Sequence, residues 1–145
     1  TIVRVLKAHA VRLITYVPDK VLASLIEQLH ADAYFTVLCP AREDEAVGIV
    51  TGAYLAGLRG IVLMQTSGFA TLPNVLASLT VPYQIPLLML ISERGTLGDF
   101  QLGQATQQED VEFVVDRMIK QAYATQAAAA AILSPLLTSR DTRKN

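Results

Sequence analysis

The sequence predicts an α/β fold, an open and mostly parallel sheet with helices on both faces, and three observations predict it. Short apolar runs rich in β-branched residues alternate with segments of helical periodicity. Parallel strands need crossover connections, so this alternation favours a parallel sheet. Hydrophobic residues make up 52% of the 145 residues but aromatic residues only 6%, which favours an aliphatic core of strands covered on both faces. A single domain spanning 1–145 accounts for this length.

The strands are predicted from their short apolar runs, each bounded by turn residues. They are placed at 12–17, 33–38, 61–65, 87–91 and 129–133. The segment Thr66–Gly68 is expected to turn the chain after the third strand.

The helices are predicted from apolar spacing and from end signals. They are placed at 2–10, from Pro18-Asp19 to about Leu29, at 43–56, from Pro73 with Thr71 as cap, and from 109 to about 130. In the second helix one face is expected to be apolar. Its residues are Val21, Leu22, Leu25, Ile26 and Leu29.

Charge and cysteine content exclude several classes of protein. The chain has 12 basic and 13 acidic residues and a net charge of −1, so nothing favours nucleic acid or an anionic membrane as partner. No uncharged apolar stretch is long enough to span a bilayer, and we expect no signal peptide. The single Cys39 excludes an internal disulfide and a cysteine zinc site. A cytoplasmic protein is therefore expected.

Polar residues follow each predicted strand. They are Tyr16–Asp19, Cys39–Glu43, Gln65–Gly68 and Ser92–Gly95. Ligands bind at the carboxyl edge of open α/β sheets, so these segments predict a site there. Dinucleotide-binding, P-loop and nucleophile-elbow motifs are absent from the sequence.

The two histidines and the cysteine are not predicted to be catalytic. His9 and His30 fall in predicted helices, away from the strand ends. Cys39 is expected to be a small buried hydrophobe.

Glu43 is the carboxylate of greatest interest. It opens the third predicted helix together with Asp44 and Glu45. Acidic residues are common in first helical turns because they interact favourably with the helix dipole. From these residues alone, that ordinary role is the simpler explanation.

Four segments taken together resemble a known family. They are 42–57 with its Glu43 and Gly52-Ala53-Tyr54, 64–68 followed by Asn74, 82–88, and 92–95. In this order and spacing they resemble the pyrimidine-binding domain of thiamine-diphosphate-dependent 2-oxoacid decarboxylases, in particular sulfopyruvate decarboxylase alpha subunits and phosphonopyruvate decarboxylases. The resemblance covers roughly residues 12–104.

The resemblance implies the roles of several residues at the cofactor. Glu43 would be the catalytic carboxyl that bonds to the aminopyrimidine ring of thiamine diphosphate. Thr66, Ser67 and Gly68 would lie beside that ring, where glycine allows close approach of the backbone.

The resemblance also implies an anionic substrate, a small 2-oxoacid such as 3-sulfopyruvate. Arg42 and Arg94 are candidates for binding its anionic group, because a guanidinium suits sulfonate, phosphonate or carboxylate. Gln104 is a further candidate. A surface or ion-pair role remains open for both arginines.

A partner subunit is implied because one half of the family's site has no counterpart here. The family holds the diphosphate and Mg²⁺ with a Gly-Asp-Gly motif, and Gly98-Asp99-Phe100 lacks the second glycine. No metal ligand is therefore expected in this chain. The resemblance implies a diphosphate-binding partner and a dimer or larger hetero-oligomer.

Four departures from the family leave the substrate open. Thr66 stands where relatives have Asn, Ala70 where they have a second Gly, and Asp99 where Glu is usual, and the stretch 104–110 is short. A phosphonopyruvate or plain 2-oxoacid decarboxylase subunit therefore remains open. So do a non-catalytic scaffold or regulatory module of the same domain type, and an unrelated flavodoxin-like binding protein.

Overall fold

The computed structural model describes residues 2–94. The chain alternates helices and strands in this region. The elements are α1 (Ile2–Ala8), β1 (Val11–Tyr16), α2 (Ala23–His30), β2 (Thr36–Leu38), α3 (Glu43–Leu55), β3 (Arg59–Gln65), α4 (Thr66–Phe69), α5 (Pro73–Val75), a π-helical turn (Leu76–Thr80) and β4 (Met89–Ser92). The helix predicted from 109 and the strand predicted at 129–133 lie outside the described residues.

The four described strands form one parallel sheet in the order β2-β1-β3-β4. β3 lies between β1 and β4, and its residues 61–64 are all buried. Both of its faces are therefore covered, which explains its uninterrupted apolar sequence. The predicted α/β class with a parallel sheet is confirmed.

Helices cover both faces of this sheet. On one face Ile14 and Leu63 pack with apolar side chains of α1 and α2. Thr15 points to the other face, because neighbouring residues of a strand alternate, and its hydroxyl donates to the carbonyl of Ala46 in α3 at 3.4 Å. An irregularity in β1 between Val11 and Leu13 lets Val11 and Ile14 share the first face despite their odd spacing.

Two predicted elements are shorter than expected because side chains bind nearby backbone. The helix expected from Pro18-Asp19 begins at Ala23, since Asp19 Oδ2 accepts the N–H groups of Val21 and Leu22 at 3.2 and 3.3 Å. The strand expected at 33–38 begins at Thr36, because Asp32 binds the N–H of Tyr34 and closes a turn. In both places a local Asp–backbone bond competes with regular structure.

Val21 departs from its predicted place on the apolar face of the second helix. It precedes α2 and is 62% exposed, whereas Leu22, Ile26 and Leu29 are buried as expected.

The region after β3 differs most from the prediction. Thr66–Gly68 belongs to the short helix α4 rather than to a turn. Thr71 does not cap α5, because its hydroxyl donates to the carbonyl of Gly68 at 2.7 Å, although Pro73 does begin that helix. β4 begins at Met89, two residues later than expected, and is mostly half-buried rather than buried.

No helix among the described residues is both long enough and apolar enough to cross a membrane.

Lys7 of α1 forms an ion pair with Asp32 of the α2–β2 connection. The same ammonium lies 5.3 Å from the centre of the Tyr34 ring. The hydrogen bond that Lys7 donates to Asp32 holds the pKa of the Asp32 carboxyl below its ordinary value, and the hydrogen bond from the Tyr34 N–H contributes less to the same effect. The pKa of Asp32 is lower in the folded protein than in the unfolded chain. The ion pair therefore stabilises the fold at pH values above the unfolded-state pKa. This stabilisation is lost as the pH falls through the folded-state pKa.

We therefore expect Asp32→Asn to lower the melting temperature at neutral pH by a small amount and to leave it unchanged at strongly acidic pH. The asparagine oxygen can still accept the Tyr34 N–H, so the substitution isolates the charge. Circular-dichroism melting of the full chain at both pH values measures this. Equal losses at the two pH values would show that the ion pair is not what Asp32 contributes.

Candidate functional site

The carboxyl ends of all four described strands meet at one edge, because the strands are parallel. The segments that follow β1, β2 and β3 bring Asp19, Glu43 and Thr66–Gly68 to this edge, and Arg94 follows β4. The predicted convergence of polar residues at this edge is thus present in the described part of the chain.

Glu43 and Gly68 are in direct contact at this edge. Glu43 is the first residue of α3, and Gly68 lies in α4. A Cβ atom built on Gly68 would lie 2.6 Å from Glu43 Cδ and 2.7 Å from its Cγ, and closer still to Oε1. The Glu43 carboxyl therefore occupies the space that any other residue at position 68 would fill.

The three acidic residues of the first turn of α3 have different partners. Asp44 pairs with Arg42, with Nε–Oδ1 at 3.0 Å and Nη2–Oδ2 at 3.3 Å. The Arg42 bond lowers the pKa of Asp44, and the Asp44 bond raises the pKa of Arg42. Glu45 Oε2 accepts the N–H of Ala41 at 3.1 Å, close to a capping-box bond.

Glu43 is different from both neighbours. Its half-buried carboxyl accepts no hydrogen bond and forms no ion pair with any residue from 2 to 94. A role in stabilising the helix terminus explains Asp44 and Glu45. That role does not explain why the Glu43 carboxyl points back over Gly68.

Thr66 joins the ends of β3 and β4. Its buried hydroxyl donates to the carbonyl of Ser92 and accepts the N–H of Arg94, both at 2.9 Å. The Thr66 hydroxyl therefore has both of its hydrogen bonds within the protein, and these bonds hold the start of α4 against the end of β4. Ser67 is half-buried, and its hydroxyl forms no hydrogen bond within residues 2–94.

Asp19 was placed at this edge by the sequence, within Tyr16–Asp19, but it was not singled out as a site residue. Its side chain is 2% exposed. Oδ2 accepts the hydroxyl of Ser92 at 2.7 Å as well as two backbone N–H groups, and Oδ1 lies 3.5 Å from Arg94 Nη1. The sequence did not reveal its specific role, because the Ser92 and Arg94 side chains that it contacts lie at the far end of the described residues.

Comparison with known proteins identifies relatives of the chain. No protein-family model matches it. It is 41% identical over 88 residues to the sulfopyruvate decarboxylase subunit alpha of Methanothermobacter thermautotrophicus, covering 61% of this chain and 53% of that protein. It is 41% identical over 92 residues to the same subunit of Methanocaldococcus jannaschii, covering 63% and 54%. The chain is a homologue of the sulfopyruvate decarboxylase alpha subunits.

Phosphonopyruvate decarboxylase of Streptomyces viridochromogenes is also related. The identity is 34% over 83 residues, which is 57% of this chain and 21% of that enzyme. The resemblance inferred from the sequence motifs is thus confirmed. The chain spans about half the length of the alpha subunits that it matches.

The two candidate arginines of this homologue occupy different environments. Arg94 is 21% exposed, and its Nη1 lies 3.5 Å from Asp19 Oδ1 and 3.4 Å from Gln65 Oε1. Arg42 is 69% exposed and turned to Asp44. Arg94 is therefore held at the carboxyl edge, whereas Arg42 pairs on the surface. Gln104 lies outside the described residues.

Cys39 and the histidines correct three further expectations. Cys39 is exposed rather than buried. His30 reaches a strand end after all, because its Nε2 lies 3.0 Å from the hydroxyl of Tyr16 at the end of β1. Burial, together with a hydrogen bond involving Cys39, raises the pKa of Tyr16. His9 lies in the turn after α1, and its carbonyl accepts from Arg59.

Proposed function

We propose that this chain is the pyrimidine-binding subunit of a thiamine-diphosphate-dependent decarboxylase, a 2-oxoacid carboxy-lyase that acts on an anionic substrate such as 3-sulfopyruvate. The observation that carries the proposal is the Glu43 carboxyl. It is unpaired among the described residues, and it lies against Gly68 at the edge where α/β sheets bind ligands. Homology to sulfopyruvate decarboxylase alpha subunits supports the same reaction.

The residues present fit the aminopyrimidine end of the cofactor. The half-buried Glu43 carboxyl has no hydrogen-bond partner in residues 2–94, so both of its oxygens are available to bond to a ligand. Gly68 leaves the carboxyl accessible, and the fully buried Ala46 and Val47 fix the helix that carries it. These features suit a flat heterocycle with ring nitrogens.

Thiamine diphosphate, when bound, supplies the electron sink for loss of carbon dioxide. The residues of this chain would bind and orient the pyrimidine end of the cofactor. Glu43 would hold a proton between its carboxyl oxygen and the ring nitrogen. Thr66 would keep α4 against β4, so that Ser67 and Gly68 stay beside Glu43.

The diphosphate and Mg²⁺ belong, in this proposal, to a partner subunit that carries a Gly-Asp-Gly motif. The lengths of the relatives support a separate partner. The segment that matches this chain makes up about half of the sulfopyruvate decarboxylase subunit alpha, but only about a fifth of phosphonopyruvate decarboxylase. The related segment thus occurs both in a short subunit and in a much longer chain. We expect a dimer or larger hetero-oligomer in the cytoplasm, with its active site between subunits.

Arg94 is the residue we propose for the anionic group of the substrate. Asp19 and Gln65 hold its guanidinium in a set orientation, and an oriented guanidinium binds sulfonate, phosphonate or carboxylate well. Arg42 is the weaker candidate because it is exposed and paired with Asp44. Gln104 remains a prediction.

The proposal predicts carbon dioxide release from 3-sulfopyruvate, in the presence of thiamine diphosphate and Mg²⁺, only when this chain is mixed with a subunit that carries the Gly-Asp-Gly motif. Each subunit alone is the control. Release by this chain alone would contradict the split site. Association without release would reject the substrate, and phosphonopyruvate and plain 2-oxoacids would be tested next. Failure to associate and to bind the cofactor would reject the decarboxylase subunit and favour a non-catalytic binding module.

A further inference from the structure

Gly68 differs from the other glycines in what surrounds it. A Cβ on Gly48 or Gly52, both in α3, would meet no atom within 4 Å. A Cβ on Gly60 would meet the Val50 side chain at 3.1 Å. Only at Gly68, among the glycines of residues 2–94, is the neighbour a carboxyl group.

The backbone conformation of Gly68 does not require glycine. Among the described glycines only Gly57 has a positive φ. Alanine can therefore adopt the backbone of Gly68, and it is space rather than conformational freedom that requires glycine at this position.

We infer that Gly68 is the positioning residue for the Glu43 carboxyl, an inference that rests on the proposed function for its effect on catalysis. A methyl group at position 68 would overlap with Cγ, Cδ and Oε1 of Glu43 at distances that atoms do not tolerate. Relief by movement of α3 is opposed by its fully buried residues Ala46 and Val47. The Glu43 side chain must then leave its place.

The fold tolerates this displacement better than catalysis does. The Glu43 side chain is flexible and half-buried, so a change of rotamer relieves the overlap at small cost to stability. A catalytic group misplaced by about 1 Å costs on the order of 10²-fold in rate. Gly68 thus acts through Glu43, and its substitution should resemble loss of that carboxyl.

We expect Gly68→Ala to lower kcat of the mixed subunits on the order of 10²-fold. Gly52→Ala is the matched control, because it adds the same methyl group to open space and should leave kcat unchanged. The double variant Gly68→Ala/Glu43→Gln should be no slower than Glu43→Gln alone, because residues that act as a unit are not additive. Full activity of Gly68→Ala, or additive losses, would overturn the inference.

A second readout needs neither cofactor nor partner. In NMR spectra of the full chain, Glu43→Gln should shift the amide resonance of Gly68, whereas Asp44→Asn on the same helical turn should not. An unmoved Gly68 resonance would also overturn the inference. This NMR measurement does not use Gly68→Ala, so it remains possible even if that variant does not fold. If no mixture releases carbon dioxide but the resonance moves, the proposed function fails while the positioning of Glu43 stands.

Discussion

Glu43→Gln is expected to lower the turnover number of the assembled enzyme by about 10²–10⁴-fold, the range typical for a group that moves a proton in the rate-determining chemistry. Glutamine has the size of glutamate and still fits over Gly68, but its amide cannot hold a proton as a carboxyl does. The fold should survive, because the Glu43 carboxyl makes no hydrogen bond or ion pair with residues 2–94. Decarboxylation kinetics and circular-dichroism melting of the same preparation measure the two effects.

Asp44→Asn is the matched control for this result. It removes one negative charge from the same helical turn, but from a carboxyl that is paired with Arg42 on the surface. Its turnover should remain close to that of the unmodified protein. Full turnover of Glu43→Gln, or an equal loss in Asp44→Asn, would contradict the role proposed for Glu43.

Asp19→Ala is expected to lower the free energy of unfolding by about 3 kcal/mol, because it removes a buried acceptor and leaves several donors without their hydrogen bond, at about 1–3 kcal/mol for each such buried group. The side chain of Asp19 is 2% exposed, and that of Arg94 21%. The substitution would also leave the Ser92 hydroxyl and two backbone N–H groups without their acceptor. Urea unfolding of the full chain, with linear extrapolation, measures the change.

Two variants make this test specific. Asp19→Asn keeps an acceptor oxygen but removes the charge, so its loss should be smaller than that of Asp19→Ala. Asp44→Ala removes a more exposed carboxylate that pairs with Arg42 at the start of α3, so it should lower the free energy of unfolding far less than Asp19→Ala does. If Asp19→Ala were no less stable than Asp44→Ala, the cluster of Asp19, Ser92 and Arg94 would not hold the strand ends together.

Elements with strong local signals were predictable from the sequence. α3 begins at Glu43 as expected, because an acidic first turn precedes its apolar residues, and it ends one residue before the expected position, just ahead of Gly57. β3 was recognised from its continuous apolar run. Prediction was poorer where a short polar side chain captures backbone groups, as at Asp19 and Asp32, because such bonds depend on geometry that composition does not reveal.

The sequence by itself determined the α/β class, the helix that carries Glu43, and the convergence of polar segments at one sheet edge, because these follow from local periodicity and from parallel strands. The tertiary structure alone decided the order β2-β1-β3-β4 and hence which of those polar residues touch. It brought Ser92 to Asp19 across 73 positions and placed Gly68 beneath the Glu43 carboxyl. Such contacts depend on how strands pair over long separations, and no local pattern encodes that pairing.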